Sequence, residues 1–340
     1  MYKKLLTKLN NGENLSQDES KAFIDLVFEG VIPTEILTES LILLNKNGFG
    51  SEELTGFARS MRNASQKVIC NKDIVDNCGT GGDGLGTFNI STTASLIAAC
   101  TGVNVAKHGN KAITSNSGSA DLLESAGVNI KLTPEQVGQC IDELNFGFMF
   151  APLHHQSMKH VAESRKAIAP NKTIFNLLGP LTNPAGAKKQ LIGVYSKDMM
   201  MPIAETLVNL GTERAMIVNS VDGLDEISIF EKTNIIEIDS SKVTSYIFDP
   251  SKYINCNGSL SDILVSSPSE SLQMMQNVLN NTNHNSREIS VINAGALVYI
   301  SGITDSLNEA ITLCEDVLES KKVNHKLKEL ISLTNSFQNA

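Results

Sequence analysis

A change of texture near residue 73 limits what this chain can fold into more than any other feature of its sequence. Before it, "ESKAFIDLVFEG", "TEILTESLILLNKNG" and "SEELTGFARSMRNA" carry apolar residues at helical spacing. The first two close on Gly30 and Gly48, and the third opens at Ser51 with two early glutamates. No strand signal interrupts them, so residues 1–65 are expected to form a helical domain. After residue 73, short apolar runs alternate with helical segments: "DIVDNC", "STTASLIAACTG", "VNVAKHG", "ADLLESAG" and "VNIKL". Strand, helix, strand units of this kind need crossovers and lay their strands parallel. The expected fold is α/β, with a small N-terminal helical domain and a larger α/β domain over 73–340 whose mostly parallel sheet is flanked by helices.

The alternation continues. "TPEQVGQCIDELN" opens with a Thr133/Gln136 capping box and Pro134 at the first helical position, and "FGFMFAP" reads as a buried strand. "LIGVYS", helix "MMMPIAETLVNLG" and strand "RAMIVNS" follow, then strand-like "ISIF" and "NIIEID". A helix is expected within 266–287, and the last long helix is expected to start at Ser306 with Glu309 as its capping partner. The net charge of −9 gives no long-range attraction for nucleic acid or an anionic membrane, so neither is expected as a partner. Six cysteines stand far apart, with no CxxC pair and no zinc spacing, and read as reduced thiols. Polar breaks follow "MYKKLL" before any signal-like apolar run forms, and no run approaches membrane-spanning length; a cytoplasmic protein is expected.

The stretch "DNCGTGGDGLGTFNIS", residues 76–91, satisfies the GxGxxG pattern of dinucleotide-binding proteins. That fingerprint needs a helix opening within the glycines and an acidic residue about 20 positions on for the ribose. Here the helix is expected from Ser91, and the next strand runs out into Lys107-His108-Gly109-Asn110, a basic end suited to phosphate. No GK[ST] follows the glycines, so a Walker loop is absent as well. What remains is a glycine-rich loop whose N–H groups can surround an anion, followed by Asn89, Ser91 and Thr92 at a helix N-terminus. Glycines alone would also suit an ordinary βα turn. A second small-residue loop, "KHGNKAITSNSGSAD" over 107–121, makes two anion-ready helix starts on adjacent units and points to a ligand with two phosphate groups. Asp225 and Glu226, in "DGLDE" after strand "AMIVNS", fail the EF-hand template; on the same sheet edge as the glycine loops they suit a hard cation shared with water and phosphate.

Taken in order, "GTGGD" (79–83), "FNIST" (88–92), "KHGN" (107–110), "SGSAD" (117–121), "TIFNLLGPLTNP" (173–184) and "GLDE" (223–226) resemble the anthranilate phosphoribosyltransferase family. "GFARSMR" and "LIGVYS" extend the resemblance over nearly the whole chain. The resemblance implies Mg²⁺-dependent transfer of the phosphoribosyl group of 5-phosphoribosyl 1-diphosphate to anthranilate, giving phosphoribosyl-anthranilate and pyrophosphate in tryptophan biosynthesis. It also implies a homodimer, and a cleft between a helical domain, completed by helices from about 165–190, and the α/β domain. Carried onto this sequence, it gives the diphosphate substrate to Gly79, Gly82, Asp83, Thr87, Asn89, Ile90, Ser91, Thr92, Lys107, Asn110, Lys111, Ser115 and Ser119. Anthranilate would meet Gly79, Asn110, His155 and Arg165; Lys107 and His108 would serve catalysis; Ser91, Asp225 and Glu226 would ligate Mg²⁺.

Three departures bear on the acceptor more than the donor. Lys111 stands where the family usually has arginine, Glu163 replaces a usual proline near Arg165 and would compete for that guanidinium, and Asn219-Ser220 replaces a common His-Gly. A pyrimidine-nucleoside phosphorylase-like enzyme shares this fold type, although "GTGGD" with "KHGN" and "GLDE" fits it poorly. A non-catalytic relative that binds nucleic acid is opposed by the intact acidic pair and the net charge of −9.

Overall fold

A computed structural model of the 340-residue chain describes residues 2–112, 116–254, 256–282 and 284–337. Four helices come first, Tyr2–Asn10, Gln17–Phe28, Thr34–Asn47 and Ser51–Ala64. Their boundaries follow local chemistry. Ser16 and Glu19 form a reciprocal capping box on the second. The early glutamates of the fourth do more than face its dipole: Glu53, buried, accepts the amides of Gly50 (3.0 Å) and Leu15 (2.9 Å) and so fixes the turn between helices. Gly56 lets this helix touch the second, because a Cβ there would overlap the Gln17 carbonyl oxygen.

A seven-stranded sheet follows in the order β3-β2-β1-β4-β5-β6-β7. The strands are β1 (Ile74–Asn77), β2 (Asn104–Gly109), β3 (Phe146–Phe150), β4 (Lys189–Gly193), β5 (Arg214–Ser220), β6 (Thr233–Asp239) and β7 (Lys242–Phe248). The first five are parallel, and β6 and β7 add an antiparallel hairpin at one edge. Side chains alternate between two apolar layers: Leu191, Met216 and Val218 face one, and Ile192, Ala215 and Ile217 the other. The first layer is closed by helices Ile90–Ala99, His284–Ser301 and Leu307–Glu319. On the opposite face, helix Pro134–Leu144 covers β1 to β3, and helix Met200–Asn209 covers β4 and β5.

The four-helix bundle shares its apolar cluster with Val161 and with Ile168, Phe175 and Leu178 from short helices in 162–178. That cluster runs on through Ile203 and Leu207 to Ile192 and Ile217 of the sheet. Bundle and sheet are therefore packed by one continuous layer on the β4 side.

Several elements differ from expectation. "VNIKL" is not a strand: Val128, Ile130 and Leu132 are buried, but the Asn129 amide and side chain bond Thr334 of the C-terminal helix rather than a neighbouring strand. "ISIF" is likewise irregular, with the Ile227 amide held by Asn293 Oδ1 at 3.0 Å. Ser306 caps a helix through the Glu309 amide as expected, but that helix ends at Glu319 and a further one, Lys322–Ser336, follows. Strand β7 gave no signal because six of its seven residues are exposed, which removes the half-buried alternation that marks a strand. Helix His284–Ser301 was also missed; it is buried nearly all round and lacks an amphipathic face.

Phe57 lies at the junction of the bundle and the 162–178 helices, fully buried, with its ring centroid 5.7 Å from that of Phe175. Phe57→Ala is expected to lower the unfolding free energy by about 3–5 kcal/mol, read as a lower urea midpoint.

Candidate active site

The sheet order reverses between β1 and β4. The chain leaves β1 for helix Ile90–Ala99 on one face and leaves β4 for helix Met200–Asn209 on the other, so a crevice opens at the carboxyl ends of these strands. The loops after β1, β4 and β5 meet in it. The loop after β1 carries Gly81, Gly82, Gly84 and Gly86 at positive φ, conformations that side chains disfavour. It is held at both ends: the Thr80 amide donates to the Gly193 carbonyl at 2.8 Å, and Gly86 and Phe88 pair with Val265 and Ile263. Between these anchors the amides of Gly82, Asp83 and Gly84 donate to no described protein group.

The loop after β5 brings in the acidic pair. A Cβ on Gly193 would overlap the Asp225 carbonyl oxygen, and one on Gly79 would lie 2.8 Å from Asp225 Oδ2. The same carboxylate accepts the Gly81 amide at 3.0 Å. Asn293, buried in helix His284–Ser301, accepts the Ile227 amide and donates back to the Ile227 carbonyl at 2.9 Å, fixing the residue after Glu226. Burial and the adjacent Asp83 carboxylate raise Asp225 to about 7; burial and Asp225 raise Glu226 well above the usual range. The Ser91 amide lies against Glu226 and opposes that rise.

Helix Ile90–Ala99 starts one residue before the expected Ser91. Asn89 is its N-cap and accepts the Thr92 amide at 3.0 Å, while Ile90 is buried apolar packing. Lys107 on β2, only 2% exposed, donates from Nζ to the Asn77 carbonyl oxygen and to Ser91 Oγ (3.1 Å). Burial lowers its pKa, against the opposing pull of nearby acids including Asp76, Glu226 and Asp225. Gly79, Asp83, Ser91, Lys107, Asp225 and Glu226 thus form one cluster.

His108 follows Lys107. Its amide donates to Asp76 Oδ1 at 3.1 Å and its Nδ1 lies 3.1 Å from the Gly179 carbonyl, which makes Nδ1 the protonated nitrogen of the neutral ring. His155 packs on it with centroids 5.0 Å apart, and the Nε2 atoms of both rings are buried without a partner among the described residues. Burial pushes His108 down to about 3 and His155 to about 4. His154, the neighbouring candidate, is committed through Nδ1 to the Gln66 carbonyl at 3.0 Å.

The remaining candidates lie around this cluster. Thr87 bridges to Leu264. Asn110 is exposed, and its carbonyl accepts Ser119 Oγ at 3.3 Å. Ser115 lies outside the described residues. Lys111 is exposed and paired with Glu124 at 2.6 Å. Arg165, half-buried on helix Ala162–Ile168, has no hydrogen-bond or ion-pair partner for its guanidinium among the described residues; Glu163 is exposed and does not pair with it. Asn219 and Ser220 are structural, bonding the Val194 and Lys232 carbonyls at 2.8 and 3.3 Å. Gly193, Asn293, Asp76 and Lys172 were not singled out from the sequence. Of these, Asn293 left a trace, a lone amide in the apolar run "SVINAGALV".

A helical bundle set against an α/β domain, with glycine-rich loops, a buried lysine and an acidic pair at the point where the sheet order reverses, is the two-part architecture of a glycosyl transferase family. Residues 3–65 match the glycosyl transferase family helical bundle domain and residues 71–323 its a/b domain. An anthranilate phosphoribosyltransferase of Acetivibrio thermocellus is 42% identical over 338 residues, covering 99% of this chain and 98% of the relative. The solved anthranilate phosphoribosyltransferase of Thermus thermophilus superposes with a TM-score of 0.91 at 35% identity, over 97% of this chain and 99% of that one. The Saccharomyces cerevisiae enzyme, solved in complex with PRPP and Mg, gives 0.87 at 26% identity over 97% of each chain. The chain belongs to the anthranilate phosphoribosyltransferase family.

The depressed histidines predict acid sensitivity. An unfolded histidine takes a proton near pH 6.5, whereas folded His108 and His155 resist it until about 3 and 4. Their stabilisation is therefore complete above pH 6.5 and falls below it, by roughly 1.4 kcal/mol per pH unit for each ring, until the folded ring is protonated. Asp76, raised by burial to about 6, Asp225, raised to about 7, and Glu226, raised well above its usual range, take up protons in the folded state and oppose this trend. The informative readout is thus a difference: between pH 6.5 and 4 the melting temperature of wild type should fall more steeply than that of His108→Gln.

Proposed function

We propose that the chain transfers the phosphoribosyl group of 5-phosphoribosyl 1-diphosphate to anthranilate, releasing pyrophosphate, as a Mg²⁺-dependent step of tryptophan biosynthesis. The observation that carries this reading is the convergence of free amides at Gly82–Gly84, buried Lys107 and the Asp225–Glu226 pair at the sheet's switch point. In this reading the helical part, 1–65 with the short helices of the 165–190 segment packed on it, walls one side of the cleft, and the remainder of 73–340 walls the other.

The donor set suits magnesium. Asp83, Asp225 and Glu226 are hard oxygen donors, and burial together with their mutual repulsion raises the last two. Among the described residues no three acidic, histidine or cysteine side chains are grouped to hold a metal by themselves, so in this reading water and diphosphate would supply most of the coordination. When bound, Mg²⁺ would neutralise charge on the diphosphate. Ser91 would add a hydroxyl oxygen.

Transfer breaks the C1–O bond, whose electron pair leaves with pyrophosphate, and forms C1–N to the amine, which then releases a proton. Loop amides and Lys107 stabilise charge growing on the leaving group. An aromatic amine is already nucleophilic when neutral, so no activated serine or cysteine is required, and positioning carries much of the rate. Arg165, without an internal partner, is suited to the acceptor carboxylate, and neutral His108 and His155 to lining its approach. A cytoplasmic homodimer completes the proposal. It is supported by six unpaired cysteines, by the lack of any membrane-crossing helix among the described residues, and by Val31 and Ile42, exposed apolar side chains of the bundle that a second copy would cover.

Mixing the protein with anthranilate, 5-phosphoribosyl 1-diphosphate and Mg²⁺ should quench anthranilate fluorescence and release pyrophosphate, and EDTA should stop both. Persistent fluorescence, or phosphate-dependent cleavage of a pyrimidine nucleoside instead, would overturn the reading. Lys107→Met should lower kcat/KM roughly 100-fold, the scale of losing one group that stabilises transition-state charge. Asp225→Asn with Glu226→Gln should flatten the magnesium titration of the rate, and an unaltered titration would remove the pair from the site.

A further inference from the structure

Lys172 has no part in the chemistry above, yet it joins the two sides of the cleft. Its carbonyl accepts Nδ2 of Asn45, on bundle helix Thr34–Asn47, at 2.8 Å. Its ammonium crosses to the α/β side, where Nζ donates to the Gly82 carbonyl at 2.7 Å and lies 3.3 Å from the centroid of the Tyr195 ring. Tyr195 follows β4, and its amide donates to Thr80 Oγ1 at 3.2 Å, so the ring is fixed to the same loop. One residue is therefore bonded to the bundle through its main chain and to the glycine loop through its side chain.

The peptide geometry gives this bond a consequence. In a planar trans peptide the carbonyl and the following N–H point in opposite directions. With the Gly82 carbonyl drawn toward Lys172, the Asp83 amide is turned away from it, and that amide has no described protein acceptor. Gly82, at φ 81°, takes the orientation that makes this possible. We propose that Lys172 is a positioning residue that clamps the Gly82–Asp83 peptide so that its amide faces the diphosphate, which makes the anion-binding form of the loop depend on how the bundle is seated. The clamp rests on the diphosphate reading of the glycine loop.

Two measurements on the full chain test it, with Lys172→Met to break the bond and Lys172→Arg to restore a donor. Without any substrate, hydrogen exchange over residues 79–85, read at the bonded amides of Thr80, Gly81 and Leu85, should quicken about ten-fold in Lys172→Met, the scale of one charge-assisted hydrogen bond, and return toward wild type in Lys172→Arg. Strand β3 and the melting temperature should not change. In turnover, KM for 5-phosphoribosyl 1-diphosphate should rise by about the same factor while KM for anthranilate stays put. If Lys172→Met does not fold, Tyr195→Leu, which removes the surface the ammonium rests on, should quicken the same exchange. Unchanged exchange over 79–85 overturns the clamp whatever the kinetics. Quickened exchange in a protein that turns over no anthranilate keeps the clamp and removes only the acceptor.

Discussion

The site depends on a main-chain contact that no side chain could occupy. The loop after β5 reaches the crevice only because Gly193 and Gly79 present bare backbone to Asp225. Without that approach the carboxylate could not accept the Gly81 amide, and the acidic pair would stand apart from the glycine loop. Both glycines lie at strand ends on either side of the place where the sheet order reverses. The topology opens the crevice, and two missing Cβ atoms let an acidic loop into it.

That contact concentrates charge of one sign. Asp83, Asp225 and Glu226 crowd together, with Asp76 deeper in the sheet, and buried Lys107 stands near them while its ammonium bonds the Asn77 carbonyl and the Ser91 hydroxyl. Acids raised and a lysine lowered both indicate a cluster short of compensating charge and water. Such a place is poorly stable by itself, and under the proposed function a divalent cation and a diphosphate would together supply the missing compensation. His108 and His155, held neutral beside it, add no charge to that balance.

The sequence was legible where local chemistry decides the outcome. Thr133 and Gln136 cap as expected because both halves of the box lie within four residues. Strands β1, β2, β3 and β5 were legible because each is buried along most of its length. "VNIKL" misled because its alternation is genuine, but its partner is Thr334, more than 200 residues away, and the same pattern suits any buried extended segment. In the site, charged and glycine-rich motifs could be read, whereas the residues that hold them could not. Gly193 looks like any glycine ending a strand, and its need appears only once the β5 loop lies over it. Lys111 shows the converse: the motif marks it, yet its ammonium is spent on Glu124.

Bundle and sheet meet in two unlike ways, and the difference determines where the cleft can open. On the β4 side, one apolar cluster runs from Phe23 and Leu41 through Phe57 and Leu207 to Ile217, and separating those surfaces would expose the interior of the molecule. On the glycine-loop side, the link runs through Asn45, Lys172 and Gly82, polar groups that water can replace. Motion that admits substrate should therefore pivot about the apolar layer and part the polar contacts, the usual distribution of local stability around a cleft. The contacts that part first include those on the glycine loop, so opening the cleft and loosening the anion cradle would be one event.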